Sequence, residues 1–259
     1  EIVGGKEVEF VLTNDFLARL TAQTSRKSGL SAVYSEILDF DEHEIPINFY
    51  DKTPCPFRQK GGSYQAHDLL ETFLESRGEN YQKEMSSPIT GEKSCSRLSP
   101  YITYGNISLR EIYRATKQKL NEDISIVKKK SLIAFKSRLA WHCHFIQKLY
   151  DEPEIEFKNL NSAFDGLRED DFNPYYYEAW KNGNTGYPFI DACMRYLKVN
   201  GWINFRMRAM LVSFSSYQLW LDWKKTSKHL AKLFTDYEPG IHYSQFQMQS
   251  GTTGINSIR

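Results

Sequence analysis

Leu69, Leu70, Phe73 and Leu74 recur at helical spacing, and Arg77-Gly78 ends the run, so the pattern predicts a helix over 64–76. A second amphipathic segment, 109–120, sets Ile112, Tyr113, Ala115 and Thr116 against Arg110, Lys117 and Lys119, with Ser108 placed to cap it. Residues 131–150 are long, aromatic-rich and read as a buried helix, whereas 151–173 is acidic and loop-like. Pro188 suits the first turn of a helix through Leu197, which Asn200-Gly201 closes. The apolar-rich stretch 202–223 predicts one core helix; Arg206, Arg208, Gln218 and Asp222 make it a poor membrane span. No strand alternation of any length follows residue 63, so the fold class is mostly α. Breakers at 51–56 and 60–62 set a boundary near residue 62, between a connector over 1–62 and a helical body over 63–259.

Composition narrows the class. The chain has 259 residues, with 33 Lys and Arg against 32 Asp and Glu, which excludes a uniformly basic nucleic-acid coat but allows a local basic patch. Its four cysteines, Cys55, Cys95, Cys143 and Cys193, are widely spaced without a CxxC pair, so neither a disulfide scaffold nor a metal site is expected. With no apolar leader segment, the cytoplasm is the default compartment. Both ends read as those of a fragment, beginning Glu1-Ile2-Val3 and stopping after a Gly/Thr-rich stretch. Aromatic residues reach 14%, and such rings both fill cores and stack flat ligands.

Three stretches could carry chemistry. Ser94-Cys95-Ser96-Arg97-Leu98-Ser99-Pro100 places hydroxyls and an Arg before a helical run, where exposed N–H groups suit a phosphate, although capping is the ordinary role of such serines. The turn Trp180 to Pro188 is tight, and beyond it Arg206 and Arg208 lie in an apolar segment where an unpaired charge costs several kcal/mol. Their partners are either Asp236 and Glu238 or a ligand phosphate. The loop Asp236 to His242 and the run Ser250-Gly251-Thr252 make the third; a lone His such as His242 is by itself weak ground for catalysis.

Taken together and in this order, the sequence resembles the photolyase/cryptochrome flavoproteins. The segments that carry the likeness are Ser96-Arg97-Leu98-Ser99-Pro100-Tyr101, Arg138-Leu139-Ala140-Trp141, the run from Ala179 to Ala192, Met194-Arg195, Gly201 to Arg208, Leu221-Asp222-Trp223 and Ser250-Gly251-Thr252. The resemblance implies a helical FAD-binding domain over 63–259, incomplete at its C-terminus. The family's N-terminal antenna domain, to which any antenna chromophore would belong, is absent from the sequence. It implies FAD contacts from Tyr81, Cys95, Ser96, Leu98 and Ser99, a buried ion pair of Arg208 with Asp236, and Glu238 and His242 facing the flavin. The activity implied is blue-light-driven electron transfer from reduced flavin to a flipped-out pyrimidine dimer in DNA, which splits and returns the electron. Trp141, His242 and Trp223 would be the catalytic residues. Arg138, Trp141, Arg206 and Lys224, with Lys225 and Lys228, would meet UV-damaged DNA; a solvated helix face is the plain alternative for the lysines. The expected protein is a monomer with no membrane partner.

Departures from the family pattern are concentrated on the lesion and electron-supply positions. Arg138 stands where the resemblance implies a lesion-contacting Glu, Phe205 where it implies Asn, and Met248 where it implies a lesion-flanking Trp. Of three implied tryptophan donors only Trp223 remains, the others falling at Phe246 and Asp170, with Tyr243, Tyr217 and Trp220 as alternative routes. These positions keep open a light-sensing flavoprotein without repair. A helical scaffold without flavin is the third alternative.

Overall fold

In a computed structural model the described residues are 55–254, so most of the expected connector, residues 1–54, lies outside them, as do residues 255–259. Among the described residues every regular element is a helix. The chain runs α1 (Ser63–Thr72), α2 (Tyr81–Glu84), α3 (Pro88–Ser94), α4 (Ser99–Thr103), α5 (Leu109–Leu120), α6 (Ile126–Asp151), α7 (Pro174–Asn182), α8 (Pro188–Asn200), α9 (Phe205–Ser213), α10 (Trp223–Leu233) and α11 (Pro239–Ser250). Single π-helical turns, Phe73–Arg77 and Phe214–Gln218, extend α1 and α9.

Local chemistry sets the helix ends. Ser108 accepts from Glu111 N–H at 3.1 Å at the start of α5, and Ser125 accepts from Lys128 N–H at the same distance at the start of α6. Pro at the first turn opens α7, α8 and α11, where its missing N–H has no helical partner to lose. α8 ends at Gly201, whose φ of 66° is a left-handed value open to glycine at little cost.

Stretch 202–223 is not the single core helix its hydropathy predicts. α9 ends in the π turn, Trp220 takes a left-handed φ of 54°, and Asp222 caps a new helix by accepting from Lys224 N–H at 3.0 Å. A local cap and a strained residue thus outweigh continuous apolarity, which does not record direction. None of the described helices is long and apolar enough to cross a membrane.

Two apolar cores result. One gathers Leu70, Phe73, Leu98, Ile112, Leu132, Phe135 and Leu139 from α1 and α4–α6; the other gathers Trp180, Met194, Leu211, Trp223, Leu230 and Phe246 from α7–α11. The long helix α6 serves both, because α11 packs against it and brings Gly240 beside the Phe145 carbonyl. Residues 55–62 are tied to this body: Phe57 N–H donates to the Val199 carbonyl at 3.0 Å, and the Tyr101 hydroxyl donates to the Lys60 carbonyl at 2.7 Å.

Candidate functional site

Between the two cores lies a cavity of about 630 Å³, walled by α6, α9, α11 and the segment leading into α4. Its size and its apolar lining with a few polar groups suit a small-molecule cofactor.

The segment before α4 is held from behind. Arg77, at the end of the π turn, donates to the carbonyls of Cys95 at 2.8 Å and Lys93 at 3.0 Å. Sequence gave no sign of this clamp, since an Arg before Gly reads only as a helix stop. Arg97 takes a left-handed φ of 62°, its guanidinium lies 4.0 Å over the Trp202 ring, and its Nε–H donates to Gln59 at 3.1 Å. Strain of this kind persists only where the surroundings over-determine it. Cys95, Ser96, Leu98 and Ser99 consequently all line the cavity. Burial pushes the Cys95 thiol up to about 11 and the Tyr81 phenol, on the same wall, up to about 12, so both stay neutral.

Ser99 caps nothing. Its hydroxyl donates to Asp236 Oδ2 at 2.6 Å, across the cavity floor. Asp236 also receives both terminal nitrogens of Arg208, at 2.9 and 2.8 Å, a bidentate pair whose carboxylate is almost wholly buried. Arg208 Nε–H donates to the Ile203 carbonyl at 2.7 Å, and its guanidinium lies 4.3 Å over the Phe234 ring. The expected ion pair is therefore formed within the protein. Arg206, two residues earlier, is exposed instead and sits on the cavity wall, since two residues turn the helix by about half a turn and so set the half-buried Arg208 on another face.

His242, on α11, is buried, and its Nε2–H donates to the Ser227 carbonyl at 3.0 Å. Desolvation lowers its pKa to about 4, so the ring is neutral and Nδ1 is its acceptor nitrogen. Glu238, at the N-cap position of the same helix, also lines the cavity.

At the mouth, Trp141 and Phe205 are half exposed, at 48% and 51%, so rings and not aliphatic groups form its rim. Trp141 stacks on Phe145 with centroids 5.7 Å apart. Arg138 and Arg206 are exposed beside them, and both line the cavity. Lys224 does not belong to this rim. It is absent from the lining, and its ammonium is 2.7 Å from Glu169. Lys225 and Lys228 are likewise off the lining, and Lys225 lies 3.9 Å from the Phe172 ring centroid. Helix α10 turns its basic run away from the cavity, as the solvated-face alternative anticipates. Trp223 is in the second core at 2% exposure, against Tyr243 and not the cavity.

The residues present fit the implied flavin. His142 Nδ1 and Asn204 Oδ1, both on lining residues, are buried without a hydrogen-bond partner. Asn204 uses its amide nitrogen on the Met85 and Ser87 carbonyls, at 3.0 and 3.2 Å, which leaves its oxygen free. Such groups call for a polar ligand. The neutral Tyr81, Cys95 and His242, the hydroxyls of Ser96 and Ser99, and the arginines on the wall offer hydrogen bonds and positive charge to a flat, partly anionic molecule. Tyr237, between the two acids singled out in the sequence, is a further lining residue that its neighbours gave no reason to select. Among the described residues, no group of three or more His, Cys, Asp or Glu side chains could hold a metal ion.

Comparison with known proteins agrees with this geometry. Residues 135–259 match a family described as the FAD binding domain of DNA photolyase. A deoxyribodipyrimidine photo-lyase of Halobacterium salinarum is 29% identical over 191 residues, 74% of this chain and 39% of that protein. A cryptochrome DASH of Xenopus laevis is 25% identical over 82% of this chain and 39% of its own length. The crystal structure of a bacterial class III photolyase from Agrobacterium tumefaciens superposes with a TM-score of 0.68 at 29% identity, over 76% of this chain and 39% of that one. The chain thus spans about two fifths of the length of the relatives it matches. The described helices are thus similar to those of photolyases and cryptochromes, and the stretch that supplies Arg208, Asp236 and His242 lies within the match to the FAD binding domain of DNA photolyase.

Proposed function

We propose that the cavity binds FAD and that the protein repairs UV-induced pyrimidine dimers in DNA under blue light. The observation that carries this reading is the mouth, where the Trp141 and Phe205 rings lie exposed beside Arg138 and Arg206 at the opening of a cofactor-sized cavity. An extruded base needs a flat surface to stack on, and the phosphates beside it need cations. When bound and reduced, the flavin supplies a light-driven one-electron donor. The chain's own residues do the rest. Arg208 and Asp236 fix the floor, Tyr81, Cys95, Ser96, Leu98 and Ser99 hold one side, Glu238 and His242 hold the other, and Trp141 takes the base.

FAD-loaded, reduced protein illuminated with a dimer-containing oligonucleotide is expected to restore intact bases. Trp141→Ala should weaken preference for the damaged strand by about tenfold, in keeping with about 1–3 kcal/mol per stacked base. Absence of repair at enzyme excess overturns the repair reading. Flavin retained without repair would favour the second reading, a light-sensing flavoprotein, for which Arg138 at the mouth and Phe246 on the wall speak.

A further inference from the structure

A second cavity among the described residues, of about 600 Å³, shares only Arg97 with the first. Phe57 and Arg58 form one side of it, Tyr196 and Asn200 of α8 another, and Glu92 is on its rim. The segment that carries Arg58 is pinned to the end of α8. The Cys55 thiol donates to the Val199 carbonyl at 3.2 Å, beside the bond from Phe57 N–H to the same oxygen, and Arg58 N–H turns back to the Cys55 carbonyl at 3.2 Å. Arg58 is thereby held against the Gly201 turn, its Nε 3.5 Å from where a Cβ on that glycine would stand.

Positive charge here lacks a counter-charge. Among the described residues neither Arg58 nor Arg97 is in an ion pair with a carboxylate. Arg97 gives its Nε–H to Gln59, and its terminal nitrogens have no hydrogen-bond acceptor among the described residues. Arg77 adds to the excess: its terminal nitrogens meet only carbonyls, and burial, then the like charge of Arg97, lower its pKa. Glu92 is the one carboxylate on the lining and is exposed, so the two guanidiniums outweigh it. A half-buried guanidinium stacked on Trp202, with its fork open, is set for an anion, because an unpaired buried charge is costly. The Tyr196 hydroxyl adds a donor. It is buried without a hydrogen-bond partner, and burial, then the nearby Glu92, push the phenol up to about 12, so it keeps its proton.

We propose that this second cavity binds a phosphate monoester, gripped between the Arg58 and Arg97 guanidiniums and the Tyr196 hydroxyl, with its organic part against Phe57. A carboxylate has two oxygens and leaves one of these three donor groups without an acceptor, whereas a phosphate monoester offers three. The Phe57 ring is 67% exposed and belongs to neither core, which leaves an apolar face for the ester group. The inference stands apart from the flavin reading, since Arg97 alone is common to the two cavities.

The test uses the full chain loaded with FAD, its bound-flavin absorbance recorded first, so that the cofactor cavity is filled. Phenyl phosphate, titrated by calorimetry at low ionic strength, is expected to bind at one site per chain, and phenol about tenfold more weakly. Arg58→Gln should lower the affinity for phenyl phosphate about tenfold, equivalent to about 1.4 kcal/mol. It should keep its flavin, because Arg58 is exposed and off the lining of the cofactor cavity. Tyr196→Phe should lower the affinity about fivefold, the worth of one hydrogen bond. Phe57→Ala should weaken phenyl phosphate and leave inorganic phosphate unchanged. No saturable binding by the wild-type chain, equal affinity for phenol, or unchanged affinity in Arg58→Gln overturns the site and leaves the flavin reading standing. Should the wild-type chain retain no flavin, that reading falls alone, and the comparison of wild type with Arg58→Gln decides the second cavity in the flavin-free chain. Should Arg58→Gln lose its helical circular dichroism, Tyr196→Phe decides, and an unchanged affinity there overturns the site.

Discussion

Three nitrogens of Arg208 each have a partner inside the protein: Nε on the Ile203 carbonyl and the terminal pair on Asp236. A guanidinium so enclosed depends on its carboxylate, because removing one partner of a buried pair leaves the other charge uncompensated at a cost of roughly 3 kcal/mol. Asp236→Asn is therefore expected to lower the urea midpoint of the apoprotein and to cut the flavin retained after gel filtration at least tenfold. Wild-type midpoint and stoichiometry in this variant would refute the assignment. The sequence was legible this far: a charged residue in an apolar segment demands a counter-charge, which left Asp236, Glu238 or a ligand phosphate as partners, and only the family resemblance pointed to Asp236 for Arg208. Tyr237 was not legible. A tyrosine between two acids in a loop looks like any loop aromatic, and only the fold shows that its hydroxyl meets Tyr243.

At the scale of elements, the site depends on how closely α11 approaches α6. A Cβ on Gly240 would fall 2.7 Å from the Phe145 carbonyl oxygen and 3.1 Å from Ile146 Cα, backbone atoms that cannot turn aside. Gly240→Ala should therefore push α11 from α6 and destabilise the protein by about 1–3 kcal/mol, the usual cost of overpacking. Flavin affinity should fall with it, because His242 and Trp141 ride on the two helices being separated. A melting temperature equal to wild type would show that the contact is looser than drawn. Helices with a cap and a breaker were readable in advance. Ser108 opens α5, and Pro188 and Gly201 bound α8, because each of these signals acts on its own neighbours. The break inside 202–223 was not, since the left-handed Trp220 and the π turn before it answer to tertiary packing. Lys224 misled for a related reason: its charge was visible, but the face it occupies was set by Asp222 capping α10 and by Glu169, 55 residues earlier in the chain.

Across the whole molecule, the buried histidines couple stability to pH. His229 is enclosed between Trp180 and Tyr177, with ring centroids at 5.7 and 6.5 Å, and Lys181, Lys198 and Lys232 face it. His242 lies against Phe234, Tyr237 and Phe246, with Arg208 and Asp236 nearby. Desolvation, aided by those cations, lowers both from an ordinary 6.5 to about 4, and burial lowers His142 as well. Each ring therefore binds fewer protons when folded than when unfolded between pH 6.5 and 4. Stability must then rise with pH through that window and be complete above it. At pH 5 the loss is about 2 kcal/mol for each of His229 and His242. Two other shifts bear on the slope. Asp191 is pushed up by burial but held below its usual value by Thr185 and Gly186, so its contribution is lost only at lower pH. Burial raises Asp222, which acts in the opposite sense as pH falls. The urea midpoint should accordingly drop between pH 7 and pH 5, and His229→Gln should remove close to half of that drop while leaving the cavity intact. An unchanged midpoint between the two pH values, or an unchanged difference in His229→Gln, would mean that these rings meet water in the folded protein and that the two cores close less tightly around them than the structure indicates.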